Sequence, residues 1–270
     1  MRIWGKVLGF LFGLMLSKNI FGALLGAWIG HRFDRGVGLN FNHLANAKNG
    51  TDRQAAFFYS TFSVMGFIAK ADGQVSQHEI AFATAYMDKL GLTGELRKQA
   101  QEAFRDGKTT GFPLDERLAN LKSAIGYRQD LLLLFLEIQI QVAFADGSLD
   151  SDEREALHKI ASGLGYSAKE LDKILEMIMA GESFHQYNSR STGYSDEQVA
   201  QQLENAYKVL GVTPENSLGE VKKSYRKLMS QHHPDKLVAK GLPPEMMEMA
   251  KQKTQDIQAA YELITEQNKT

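Results

Sequence analysis

Glu220-Val221-Lys222-Lys223-Ser224-Tyr225-Arg226-Lys227-Leu228-Met229-Ser230, followed at once by Gln231-His232-His233-Pro234-Asp235-Lys236, is the stretch around which the sequence organises. Val221, Tyr225, Leu228 and Met229 recur at helical spacing, which predicts a helix with one buried stripe. Lys222, Lys223, Arg226 and Lys227 fall on the remaining surface, with only Glu220 nearby to offset them. A solvated face selected for stability mixes signs, because like charges four residues apart repel. Pro234 is expected to end this helix: it lacks an amide donor, and the residue before a proline disfavours helical dihedrals. The product is a rigid turn displaying an imidazole and a carboxylate beside a cationic helix, suited to an acidic partner surface.

From about Asn205 to Gln267 the sequence resembles a J-domain, the module of DnaJ-class co-chaperones. The resemblance is carried by Tyr207-Lys208-Val209-Leu210-Gly211-Val212, by the basic helix with Tyr225-Arg226-Lys227-Leu228, by His233-Pro234-Asp235, and by Ile257-Gln258-Ala259-Ala260-Tyr261-Glu262-Leu263. It implies that His233, Pro234 and Asp235 dock on a DnaK-class chaperone and speed its ATP hydrolysis, while Lys222, Lys223, Arg226 and Lys227 steer the encounter. Such a protein is an activator with no catalytic site of its own. Read from the residues, this domain (203–270) is a short helix from Leu203 to Leu210, the basic helix capped by Ser217 or Asn216, the turn, and a long helix from about Pro243. Met249, Lys253, Ile257, Tyr261 and Ile264 share one face of that last helix and are expected to pack on Val221, Tyr225 and Leu228. Thr254 departs from the family, which usually has Phe there. Neither the family's usual short fourth helix nor a glycine/phenylalanine-rich or zinc-binding client region is expected from these residues, so clients are expected to be met through the membrane anchor and the middle domain. His232 is left out of the functional set.

The 270 residues suffice for one large or two smaller domains, and the net charge of -1 gives no global bias toward nucleic acid. With no cysteine, disulfides, thiol catalysis and thiolate metal sites are excluded.

Val7 to Ile29 is almost uniformly apolar and about the length that spans a bilayer as a helix. Lys18 near its middle costs about 2.5–3.5 kcal/mol, which the surrounding Leu, Phe and Ile outweigh. The apolar stretch resumes after Lys18-Asn19, which favours a retained anchor over a cleaved signal peptide. We therefore expect a short extracytoplasmic segment at 1–6, a single transmembrane helix at 7–30 and a juxtamembrane linker at 31–50. Gly5, Gly9 and Gly13, then Gly22, Gly26 and Gly30, recur every fourth residue, a spacing that lets two membrane helices approach closely and predicts a homodimer. Positive residues flank both ends of the span, so orientation follows from the resemblance: a J-domain that meets DnaK puts the C-terminal bulk in the cytoplasm, at the bacterial inner membrane.

Residues 51–181 show apolar residues at three- and four-residue intervals and no alternating strand, so the whole chain is read as all-α. Ala69-Lys70-Ala71-Asp72-Gly73-Gln74-Val75-Ser76-Gln77-His78-Glu79 is echoed by Ala143-Phe144-Ala145-Asp146-Gly147-Ser148-Leu149-Asp150-Ser151-Asp152-Glu153, a duplicated helix–turn–helix unit. In each copy Asp-Gly ends a helix, Ser76 or Asp150 caps the next, and Glu79 or Glu153 completes a capping box. The competing reading is a divalent metal shared by Asp72, Glu79, Asp146 and Glu153. A normal EF-hand is excluded, since Ile68, Lys70, Val142 and Phe144 stand where its first ligands belong. Capping is preferred because it accounts for the same residues, and no cofactor is otherwise expected. The duplication resembles the TerB-like helical domain, and the order anchor, TerB-like domain, J-domain resembles membrane-anchored DnaJ-like co-chaperones. Leu131 to Leu136 is too short for a second span and predicts a buried central helix. Residues 182–202, with Ser189-Arg190-Ser191-Thr192-Gly193, read as a flexible linker.

Three rival functions have signatures of their own. Adjacent His232 and His233 do not share a helix face, so no metal site is read there. The basic helix could bind nucleic-acid phosphates generically, but the domain is tied to a membrane, so nucleic acid is not expected as a partner. A membrane scaffold or signalling adaptor, metal-responsive through the middle domain and serving envelope stress or capsule regulation, is the alternative function.

Overall fold

The computed structural model describes residues 50–71, 77–144, 148–188 and 196–268. Every regular element among them is helical, as the periodicity predicts. The anchor at 7–30, with Gly5, Gly9, Gly13, Gly22, Gly26 and Gly30, lies outside the described residues, as do Asp72 and Asp146 and the side chain of Glu79. Among the described residues no helix is long and apolar enough to cross a membrane.

The middle region comprises α1 (Gly50–Ile68), α2 (Gln77–Lys89), α3 (Gly94–Gly107), α4 (Leu114–Ile125), α5 (Gln129–Ala143), α6 (Ser151–Leu164) and α7 (Ala168–Asn188). Helix α1 is its hub. Phe57, Phe58, Phe62, Val64, Met65 and Ile68 are buried on several sides of it, as in a helix enclosed by others. Its buried hydroxyls return to its own carbonyls: Thr61 Oγ1 donates to Phe57 O at 2.8 Å and Ser63 Oγ to Ser60 O at 3.3 Å. Helices α1 and α3 cross in backbone contact. A Cβ at Gly66 would stand 2.0 Å from Phe104 O, and one at Gly107 would stand 1.7 Å from Ser63 O, so only glycine fits at either place.

Helix α5 is the buried central helix expected from Leu131 to Leu136, with Leu131, Leu132, Phe135, Leu136, Ile138 and Ile140 enclosed. It also buries Gln139 and Glu137. Gln139 Nε2 donates to Thr61 O of α1 at 3.3 Å, tying the two central helices together. At the start of α6, Asp150 accepts from the amides of Asp152 and Glu153 while the Glu153 carboxylate accepts from the Asp150 amide, a complete capping box. Glu153 is thus committed to helix α6. Its counterpart at Ser76 and Glu79 lies outside the described side chains.

Helix α7 departs from the sequence reading. The sequence predicts a linker from 182, yet α7 continues to Asn188 and the next helix, α8, already starts at Asp196. The cause is apolar: Ala180 and Phe184 of α7 are buried in one cluster with Ala206, Leu210, Leu228 and Ile257 of the C-terminal region. Residues 189–195 lie outside the described ones. Helix α7 packs on α5 and α6 and also on α8 and the last helix.

The C-terminal region continues with α8 (Asp196–Val209), α9 (Leu218–Gln231), α10 (Pro234–Lys240), a 3-10 turn (Pro244–Met246) and α11 (Met247–Gln267). Val221 and Leu228 of α9 pack against Ile257, Ala260 and Ile264 of α11, and Tyr225 stacks on Tyr261 with ring centroids 4.3 Å apart. Two expectations are corrected. Helix α9 stops at Gln231 before the proline acts, and Pro234 instead opens α10 at a position where its missing amide costs nothing. Met249 and Lys253, expected to pack on α9, instead meet Tyr86 of α2 and Glu137 of α5.

Candidate functional site

Ser217 caps α9: its hydroxyl accepts from the Glu220 amide, and the Glu220 carboxylate accepts from the Ser217 amide at 2.8 Å. Those hydrogen bonds hold the Glu220 carboxyl below its usual range. The only acid at the start of α9 is therefore spent on the cap. Asn216, the other capping candidate, accepts instead from the Thr213 amide at 2.8 Å. Ser224 Oγ donates to Leu210 O at 2.5 Å and pins α9 against the end of α8.

Lys222, Lys223, Arg226 and Lys227 are all on the solvent side of α9. Among the described residues the ion pairs lie elsewhere, so this face keeps its positive charge. At its end, His232 closes the helix with its amide 2.9 Å from Leu228 O, His233 is the N-cap of α10, and Pro234 is its first residue. His233 and Asp235 are exposed and Pro234 half-buried. Lys236 Nζ donates to Ser230 Oγ at 3.0 Å, bracing the turn from outside. The site is convex. Cavities of about 410 and 860 Å3 are lined by other residues, around Phe67 and Phe112 and between α7 and α8. An exposed turn away from those cavities suits docking onto another macromolecule better than holding a small substrate.

Of the seven residues expected for chaperone docking, Lys222, Lys223, Arg226 and Lys227 lie along the exposed side of α9, and His233, Pro234 and Asp235 form the start of α10 just beyond its end. Among the described residues it shows no cluster of three or more metal-ligating side chains.

Sequence reasoning missed what lies beneath the turn. His232 is 1% exposed, with Nδ1 3.6 Å from Oε2 of the buried Glu137 of α5. Lys253 of α11 places Nζ 3.8 Å from the other oxygen of Glu137. Neither ring nitrogen of His232 has a hydrogen-bond partner among the described residues. Burial pushes the imidazole below its ordinary value, Glu137 opposes that, and Lys253 adds to it. Around this point the J-like helices meet the middle region through polar contacts. Lys240 pairs with Asp130, Arg128 Nη1 donates to Lys240 O at 2.7 Å, and the Tyr86 hydroxyl donates to Met249 Sδ at 2.6 Å. A signal was present in the sequence: His232 continues the stripe Val221, Tyr225, Leu228 by four residues, and Lys253 sits between Met249 and Ile257 on theirs.

The helical pair α9 and α11, the exposed His-Pro-Asp turn and the cationic face define a J-domain protein, and residues 205–270 match the model of the DnaJ domain. Residues 59–176 match that of tellurite resistance protein TerB, and residues 1–51 that of the co-chaperone DjlA transmembrane domain. Proteins named co-chaperone protein DjlA are similar to the chain over nearly its whole length. That of Photobacterium profundum is 50% identical, covering 97% of this chain and 98% of its own. Those of Escherichia coli (strain K12) and Salmonella typhimurium (strain LT2) are 47% and 48% identical, each covering 99% of this chain and 98% of its own. No solved structure matches. The chain belongs to the DjlA family of co-chaperones.

Proposed function

We propose that the chain is a membrane-anchored co-chaperone that recruits a DnaK-class chaperone to the bacterial inner membrane and stimulates its ATPase. The observation that carries this reading is the exposure of His233 and Asp235 on a braced turn beside the unbalanced cationic face of α9. His233, Pro234 and Asp235 make the activating contact, and Lys222, Lys223, Arg226 and Lys227 accelerate the encounter with an acidic surface, an effect that added salt screens. The chain is an activator without a catalytic site. Its C-terminal domains face the cytoplasm, where the chaperone and its ATP are found, and the glycine series from Gly5 to Gly30 pairs two copies in the bilayer.

The test is single-turnover ATP hydrolysis by DnaK with the full chain in detergent, wild type against His233→Gln. Stimulation is expected to vanish in the variant while its thermal unfolding stays unchanged, because the His233 side chain is exposed and makes no capping hydrogen bond. Equal stimulation by both proteins would overturn the assignment.

A further inference from the structure

The chaperone-docking turn is joined to a buried, ionisable contact that the docking itself does not use. His232 is adjacent to His233 in the chain, closes α9 through its backbone, and sends its ring into the middle region rather than toward solvent. The groups facing that ring come from each element packed on it. Glu137 and Asp130 belong to α5, and Lys253 belongs to α11. One step further out, Glu182 of α7 lies in the field of Lys253 and of Lys89 in α2, and Tyr166 lies in the field of Glu137. Glu137 is already shared with Lys253, a second basic group 3.8 Å from its other oxygen. A proton arriving on His232 therefore enters a buried site whose carboxylate is already shared with a second basic group.

We propose that His232 is a positioning residue that ties the His-Pro-Asp turn to the middle helical domain, and that protonation of its ring releases the tie. In the tied state the ring fixes where α9 ends and α10 begins, so His233 and Asp235 are presented in one orientation. In the released state α10 and the start of α11 leave the α5 surface, Lys240 and Lys253 lose Asp130 and Glu137, and the turn is held by α9 alone. The middle domain thereby sets how well the turn activates the chaperone. This role rests on the proposed ATPase stimulation, whereas the tie itself does not.

The sign of the dependence follows from linkage. A buried imidazole whose proton affinity is below its free value contributes fully above a pH of about 6.5 and progressively less below it. If the docked ring stays neutral throughout, the released population grows about fourfold between pH 7.5 and 6.0.

The chain has no cysteine, so a single introduced thiol reports cleanly. Met249→Cys places one at the contact with Tyr86, where Met249 is buried, and Gln255→Cys places an exposed reference on the same helix. Maleimide labelling of the full chain in detergent is measured for both, and their ratio is followed from pH 7.5 to 6.0. The ratio is expected to rise about fourfold in the wild-type background, to stay level with His232→Phe, and to rise less with Lys253→Met, which frees Glu137 to hold a protonated ring. Loss of packing alone would raise labelling at every pH and leave its pH dependence as it was. Over the same window, DnaK stimulation by the wild type relative to His232→Phe is expected to fall. A flat ratio, or an equal rise with His232→Phe, overturns the tie. A rising ratio with unaltered relative stimulation overturns the positioning role. Failure of the proposed function would instead show as full stimulation by His233→Gln, with the labelling still reporting on the tie.

Discussion

The middle domain holds the J-domain at two places built from opposite materials. At one, Ala180 and Phe184 of α7 enter the apolar cluster around Leu210, Leu228 and Ile257. At the other, Glu137 and Asp130 of α5 meet His232, Lys253 and Lys240. Burial of hydrocarbon is indifferent to pH and only weakly selective among partners, so the first contact acts as a hinge pin that stays in place. The second depends on a proton count and on pairing among desolvated charges, so its strength varies with solution conditions. A domain fixed at one point and titratable at another can swing without detaching.

Substitutions at the two places should separate them. Phe184→Ala carries the largest expected effect, about 3–5 kcal/mol from the lost side chain and the cavity it leaves, equal at pH 7.5 and 6.0 in denaturant unfolding of the full chain. Glu137→Gln comes next at about 1–3 kcal/mol, because Lys253 is left beside a neutral amide in a mostly buried site. Its cost should be visible in the same unfolding experiment at pH 7.5, and an effect as large as that of Phe184→Ala would erase the distinction between the two contacts. Ser217→Ala removes the cap of α9 for about 1 kcal/mol and should leave the pH dependence of labelling at Met249→Cys untouched. Lys240→Ala is expected to cost less than about 1 kcal/mol, since the lysine is partly solvated, with the loss reduced further by added salt.

The contrast also explains what could be read from the sequence. The caps were legible because Ser217 with Glu220, and Asp150 with Glu153, satisfy local backbone donors at a fixed spacing. The His-Pro-Asp turn and the cationic face of α9 were legible for the same reason, being features of neighbouring residues. Central helix α5 announced itself through an apolar run that no surface helix would carry. Contacts between distant segments left weaker traces. Glycine and polar residues after Gly181 suggested a linker, but Phe184 finds its partners in segments well beyond that linker, from Ala206 to Ile257, and that burial sustains the helix. Met249 and Lys253 share a stripe with Ile257, yet α11 serves two neighbours, the early part against the middle domain and the later part against α9. His232 was left out of the functional set despite its adjacency to His233. Its place on the stripe of Leu228 was the better guide, since a titratable residue at a core position needs a reason to be there.

Helix α7 has a practical consequence for where the chain can be divided. With 21 residues it is about 30 Å long and belongs to both neighbours, so the seam between them runs through a helix rather than between two. A fragment beginning at Asp196 would leave a slot where Phe184 had been, open to water and sticky toward other fragments. One beginning ahead of Ser167 would bring its own plug, together with the capping box in which the Ser167 hydroxyl accepts from the Glu170 amide at 3.3 Å and the Glu170 carboxylate accepts from the Ser167 amide at 2.8 Å.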